Sequence, residues 1–237
     1  MSDALNGFPS GGVAVVIGAS GGLGSAFFRQ LEESGRFARV VGCSRAGVPR
    51  IDLEEEASIE AAAAHVAGLG PLRLVVDATG ILSDGAMVPE KALARIDAEQ
   101  MARAFRINAI GPALLIRHFA PLFPRKGKSV FATLSARVGS IGDNALGGWI
   151  SYRSAKAALN QIVRTAAVEM ARGRPEHVML ALHPGTVDTA LSRPFACKGL
   201  AIRTPDEAAG LLLRVIDRAD AADTGGFLSY AGERLPW

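Results

Sequence analysis

Short unbroken apolar runs alternate along this chain with longer stretches in which apolar positions recur every third or fourth residue. The runs fall at 13–17, 38–43, 72–77, 128–134, 178–182 and 226–230, with a shorter one at Ile51 to Leu53. Runs of this kind, rich in β-branched residues, predict strands buried on both faces. Helical spacing follows the first run through Phe28 and Leu31 to Gly35, then covers 54–66 and 97–123. It returns from Tyr152 to Arg172, where Ala155, Leu159, Ile162, Ala166 and Met170 share one face. Thr204 and Glu207 match a capping box with Pro205 at the first helical position, predicting a last helix to about Arg218. Strands alternate with helices from end to end, with no linker or repeat. The pattern predicts an α/β fold: a single doubly wound parallel sheet with helices on both faces. Residues 1–12 are expected to form a flexible tail and 13–237 one domain.

Two stretches break the pattern. Asn108 and the pair Gly111 and Pro112 lie inside the helical stretch 97–123, where proline removes a donor and kinks the backbone. Either Asn108 and a water occupy a distorted turn beneath Lys156, or a bent packing helix holds a satisfied core amide. Ala190 to Arg203 has no clear period and is expected to act as a lid.

The chain has 237 residues, 49% of them hydrophobic, enough for one large core. Its formal charge of +3 is spread without a basic block, so no nucleic-acid partner is expected. No apolar run approaches the ~20 residues a membrane span needs, and Met1 to Gly12 lack the apolar core of a signal peptide. Cys43 and Cys197 have no motif spacing and read as reduced thiols of a cytoplasmic protein. The four histidines are scattered, and no metal-ligand cluster is expected.

The first strand runs into Gly18, Ala19, Ser20, Gly21, Gly22, Leu23 and Gly24, and then into a helix. Strand, glycine turn, helix lets backbone approach a pyrophosphate and points helix N–H groups at it. Ser20 and the N–H groups around Leu23 are candidate phosphate or ribose contacts. Ser44 and Arg45 end the second strand, beside an expected adenosine ribose. With no acid there and one guanidinium, NADP is favoured and NAD is the alternative. Asp52 and Leu53 would border the adenine. Ala78, Thr79 and Gly80, after the 72–77 strand, invite close backbone approach to the ligand.

Tyr152 and Lys156 are four apart on a helix, so both point to one side. A phenol normally titrates near ~10, and a fixed ammonium nearby would lower that value. Ser135 ends the 128–134 strand, on the edge where α/β sheets bind ligands.

These residues resemble the short-chain dehydrogenase/reductase family over nearly the whole chain. The glycine turn, Asn108, the strand-end serine, Tyr152-x-x-x-Lys156 and the stretch from Pro184 to Thr189 occur in the family's order. Gly139 to Asn144, Gly147 to Trp149 and the Pro236-Trp237 terminus resemble the branch of C-factor-like proteins and small carbonyl reductases. The resemblance implies a Rossmann-type sheet of order 3-2-1-4-5-6-7 and hydride exchange between nicotinamide and a carbonyl or alcohol carbon. It implies Tyr152 as acid or base, with Lys156 on the nicotinamide ribose and Asn108 holding a water. Ser135 would bind the substrate oxygen, and Pro184, Gly185, Val187 and Thr189 would lie against the nicotinamide. Relatives often dimerise through the helices holding Asn108 and Tyr152, so a homodimer or homotetramer is expected. The departures are Ile17 for a threonine, Asp77-Ala78-Thr79-Gly80 for the usual Asn-Asn-Ala-Gly, and Ala136 where the second serine of the serine motif falls. Ser135 or Ser140 would then serve in its place, or the role is vacant. Two functions compete: an NADP-dependent carbonyl reductase, and a C-factor-like nucleotide-binding signalling protein with little catalysis.

Overall fold

The computed structural model describes residues 5–85, 87–195 and 202–237. Its elements run β1 (Val13–Ile17), α1 (Gly22–Glu33), β2 (Arg39–Cys43), α2 (Glu56–Ala67), β3 (Leu72–Asp77), α3 (Ala98–Phe105) and α4 (Gly111–Phe119). Then follow β4 (Ser129–Leu134), α5 (Ile150–Ala171), β5 (His177–His183), β6 (Thr186–Val187), β7 (Ile202–Arg203), α6 (Pro205–Arg218) and β8 (Gly226–Ser229). Six strands form one parallel sheet in the order β2-β1-β3-β4-β5-β8, and β6 pairs separately with β7.

Alternate strand side chains feed two cores, which is why the runs are apolar throughout. Ala14, Val16, Val130 and Leu180 pack with Phe27 of α1 and Leu212 and Ile216 of α6. Val15, Ile17, Phe131 and Met179 pack on the other face with Ile59, Phe119 and Leu159 of α2, α4 and α5. The register sets Ile17 opposite both Cys43 and Asp77, Asp77 opposite Thr133, and His183 opposite Ser229. Strand ends are therefore flush, and the turns after them share one edge. This edge is where a doubly wound sheet binds its ligand.

The fold departs from expectation in three places. Ile51 to Leu53 is not a strand: Arg50 makes one isolated parallel bridge to Ser44, and the chain then turns at once. The Asp52 carboxylate accepts the Glu54 N–H, and Ser58 binds Asp52 through both backbone groups, so local side-chain bonds outcompete a ladder. The sheet therefore has six strands, the expected order 3-2-1-4-5-6-7 without its outermost strand. The supposed tail packs from its first described residue, with Leu5 and Phe8 buried beside α1 and α6 and Phe8 set edge-on against Phe37.

The stretch 97–123 is not one helix. A π-turn, Arg106–Ile110, separates α3 from α4, and the Gly111 N–H reaches back five residues to the Arg106 carbonyl. Pro112 is the second residue of α4, in the first turn, where its missing donor costs little. The capping box at Thr204 and Glu207 forms as expected. Of the expected lid, residues 196–201, with Cys197, lie outside the described residues, while Ile202 and Arg203 are held by β6.

Candidate active site

The edge carries two adjoining cavities of about 350 and 460 Å³, which share Gly21, Arg45, Ala78, Thr79 and Gly80. Gly18, Ser20, Ser44, Asp52 and Leu53 line the first. Gly22, Leu23, Gly24, Ser135, Tyr152, Lys156, Pro184, Gly185, Val187 and Thr189 line the second. Every residue expected at the site thus borders one cleft, except Asn108, which lies beneath it.

The glycine turn is built for close approach. Gly18 has a left-handed φ of +81°, and a Cβ on Gly24 would stand 2.1 Å from the Gly18 carbonyl oxygen. The Gly18 and Ala19 N–H groups both bond the Cys43 carbonyl, tying the turn to β2. No side chain caps α1, so its first N–H donors remain for a ligand. Arg45 is exposed and has no ion-pair partner among the described residues. A dinucleotide with a phosphate near Arg45 fits this cradle.

Beneath the cleft, Asn108 occupies the π-turn. Its Oδ1 accepts the Ile81 N–H at 3.0 Å, and its Nδ2 donates to the Ile81 and Ala104 carbonyls at 2.9 and 3.1 Å. The amide therefore pins the strand-end loop to the distorted helix. Lys156 Nζ donates to the Leu134 carbonyl at 2.8 Å and lies 5.9 Å from the Tyr152 ring centroid. Burial pushes the Lys156 ammonium down to about 8, against an upward pull from Asp77. Asp77 is fully buried and accepts from Thr133 Oγ1 and from the Thr79 hydroxyl and N–H. Burial pushes its carboxyl up, while the Thr133 and Thr79 hydrogen bonds and the Lys156 charge oppose that. The unusual aspartate thus holds the Ala78 to Gly80 turn against the cleft.

Two expectations change. Burial pushes the Tyr152 phenol up, where proximity to an ammonium was expected to bring it down. The phenol keeps its proton and is suited to donate it. The Ser135 hydroxyl, expected to face the substrate, donates to Asn160 Oδ1 at 2.6 Å. Ser135 and Ala136 both border the cavity, but the donor is turned into α5. Ser140 does not substitute: its hydroxyl donates to the Trp237 carbonyl and accepts the Asp143 N–H.

Three residues escaped the sequence reading. Asn160 continues the four-residue step from Tyr152 and Lys156, a signal that was available. His183 was legible only as the residue before Pro184. Glu90 carried no local signal: its buried carboxylate reaches Ser151 across the chain, and its carbonyl accepts the Trp149 N–H at 2.5 Å. Trp149, in a left-handed conformation, meets Phe195 edge-on at 5.2 Å.

Comparison with known proteins places this geometry among enzymes. The pattern of the family described as enoyl-(acyl carrier protein) reductase matches residues 21–232. The chain is 37% identical over 147 residues to C-signal of Myxococcus xanthus, covering 62% of this chain and 84% of that one. It is 31% identical over 234 residues to 1-hydroxy-2-glutathionyl-2-methyl-3-butene dehydrogenase of Rhodococcus sp. strain AD45, covering 94% and 98%. Among solved structures, the NADPH-bound carbonyl reductase from chicken fatty liver superposes with a TM-score of 0.85 at 25% identity, covering 96% and 95%.

Proposed function

This chain belongs to the short-chain dehydrogenase/reductase family of oxidoreductases, and we propose that it reduces small or medium carbonyl compounds with NADPH. The observation that carries the reading is the shared cavity: Tyr152 and Lys156 of α5 border the same space as the glycine turn of α1. When bound, NADPH would supply a hydride from nicotinamide C4 to the carbonyl carbon. The Tyr152 phenol gives its proton to the carbonyl oxygen, completing the alcohol. Lys156 offers its remaining N–H donors to the nicotinamide ribose, and Pro184, Gly185, Val187 and Thr189 form the wall behind the ring. Arg45 and Ser44 receive the 2′-phosphate, while Asp52 and Leu53 border the adenine. The NADPH carried by the chicken enzyme supports the choice of cofactor.

A second reading, a nucleotide-binding signalling protein, is supported by the identity to C-signal and by the Ser135 hydroxyl turned from the cavity. We further propose a cytoplasmic setting, in keeping with the free, buried Cys43. We also propose self-association through α4 and α5, whose groove carries Ala113, Ile162 and Ala166. No described helix is long and apolar enough to cross a membrane.

Fluorescence titration with NADPH and NADH, repeated on Arg45→Ala, tests the cofactor reading, followed by turnover on aldehydes, ketones and quinones. Tight NADPH binding that weakens ~10-fold or more in the variant is expected, as for a lost charge-assisted pair. NADPH binding without turnover on any carbonyl would favour the signalling reading, and no binding of either nucleotide would overturn both.

A further inference from the structure

A carbonyl reductase needs a hydrogen-bond donor, besides its proton donor, for the oxygen that gains charge as hydride arrives. Side-chain donors in the 460 Å³ cavity are mostly spent elsewhere. Thr79 donates to Asp77, and Ser135 to Asn160. Ser192 donates to the Val187 carbonyl, and Thr189 pairs with Ser192. Ala136 has no donor to give.

His183 is different. It ends β5, borders this cavity and is half-buried. Its Nδ1 faces the Arg137 backbone N–H at 3.3 Å and can only accept there. That bond fixes the tautomer and leaves the ring proton on Nε2. Nε2 has no hydrogen-bond partner among the described residues. Burial, then the charges of Arg137 and Arg203, push the imidazole down to about 4, so the ring is neutral at pH 7. A neutral imidazole in that state polarises a carbonyl as an N–H donor without itself being charged.

We propose that the Nε2–H of His183 hydrogen-bonds the substrate carbonyl oxygen opposite the Tyr152 phenol. This rests on the reductase reading above. Hydride adds to the carbonyl carbon, the C=O π pair passes to oxygen, and the Tyr152 proton completes the hydroxyl. No N–H bond of His183 breaks; its donor steadies the oxyanion as it forms. The role is that of a substrate-touching donor, taken by a strand-end imidazole because the neighbouring serine hydroxyl is turned into α5.

The test combines kinetics with a readout that needs no turnover. In His183→Ala, kcat should fall ~100-fold, the scale for one lost oxyanion donor, with NADPH affinity within twofold of the parent. His183→Gln, which keeps an N–H donor, should recover part of the loss. Adding Ala136→Ser to His183→Ala should recover at least tenfold, since it places a hydroxyl on the same cavity wall. Nitrogen NMR of the parent protein should show a neutral ring protonated on Nε2 at pH 7. Unchanged kcat in both His183 variants, or a ring protonated on Nδ1 or doubly at pH 7, would overturn the proposal. A parent protein that binds NADPH and turns over no carbonyl would instead count against the reductase reading.

Discussion

The Glu90 carboxylate accepts both the backbone N–H and the hydroxyl of Ser151, the residue immediately before Tyr152. Trp149, at the start of α5, offers no side-chain cap. Glu90 therefore caps the helix from a distant loop, and a carboxylate there also meets the positive end of the helix dipole. The same contact ties the segment before α3 to the helix that carries Tyr152 and Lys156.

Glu90→Ala is expected to destabilise the protein by ~1–2 kcal/mol, the range of a lost N-cap. The hydrogen bonds from Ser151 and Gln100 hold the Glu90 carboxyl below its usual range, despite the upward push of burial. A carboxyl depressed in the folded state contributes stability above its unfolded pKa and loses it as pH falls through its folded value. Urea unfolding at pH 7 and at pH 3 checks both points, since the difference between variant and parent should shrink at the lower pH.

Tyr152→Phe is expected to reduce kcat by ~10²–10⁴, the usual worth of a positioned proton donor. NADPH binding should persist, because the phenol lies outside the phosphate cradle. Single-turnover measurement of hydride transfer, beside a fluorescence titration, separates the two effects. A variant with parental kcat would remove Tyr152 from the chemistry.

Gly24→Ala would bring a Cβ against the Gly18 carbonyl, which is backbone and has no room to rotate away. The expected cost is ~1–3 kcal/mol of overpacking, with weaker binding of both nucleotides because the turn itself must shift. Thermal melting with and without NADPH reads both. An unshifted melting temperature would mean the turn relaxes freely.

His177 is buried, with Nε2 unpartnered and its ring 4.3 Å from that of Phe123. Burial, partly offset by Ser129, pushes the imidazole down to about 4. The unfolded state, with an ordinary histidine near ~6.5, binds more protons between those values. Stability from this group is therefore full above about pH 6.5 and declines as pH falls toward 4. Melting temperatures from pH 7 to 4 should drop more steeply in the parent than in His177→Gln; equal slopes would dismiss the histidine as the cause.

The sheet was legible because its strands are buried on both faces, so Val13 to Ile17 and Val178 to Leu182 announce themselves without knowledge of their neighbours. Ile51 to Leu53 looked alike over a shorter span, and there the Asp52 and Ser58 side chains decided the backbone. Tyr152 and Lys156 could be paired from spacing alone, as could Asn108 with a distorted turn. The direction of the Ser135 hydroxyl could not, because it depends on Asn160 across the sheet edge. Glu90 was invisible for the same reason: its partner is 61 positions away. Local periodicity carries what one element does to itself, and the site is made where elements meet.

The π-turn gives residue number a meaning of its own. Each added residue advances a helix by ~100°, and the turn at Arg106–Ile110 holds one more residue than regular winding would. That phase offset lets Asn108 face Ile81 while Gly111 sits where a Cβ would come within 2.7 Å of Leu53. Deleting one of these five residues would restore regular winding and leave Leu115 and Phe119 facing the sheet, but it would remove the bulge that aims the Asn108 amide at Ile81. At this point the chain is read by count as well as by composition, and a substitution there would be gentler than a deletion.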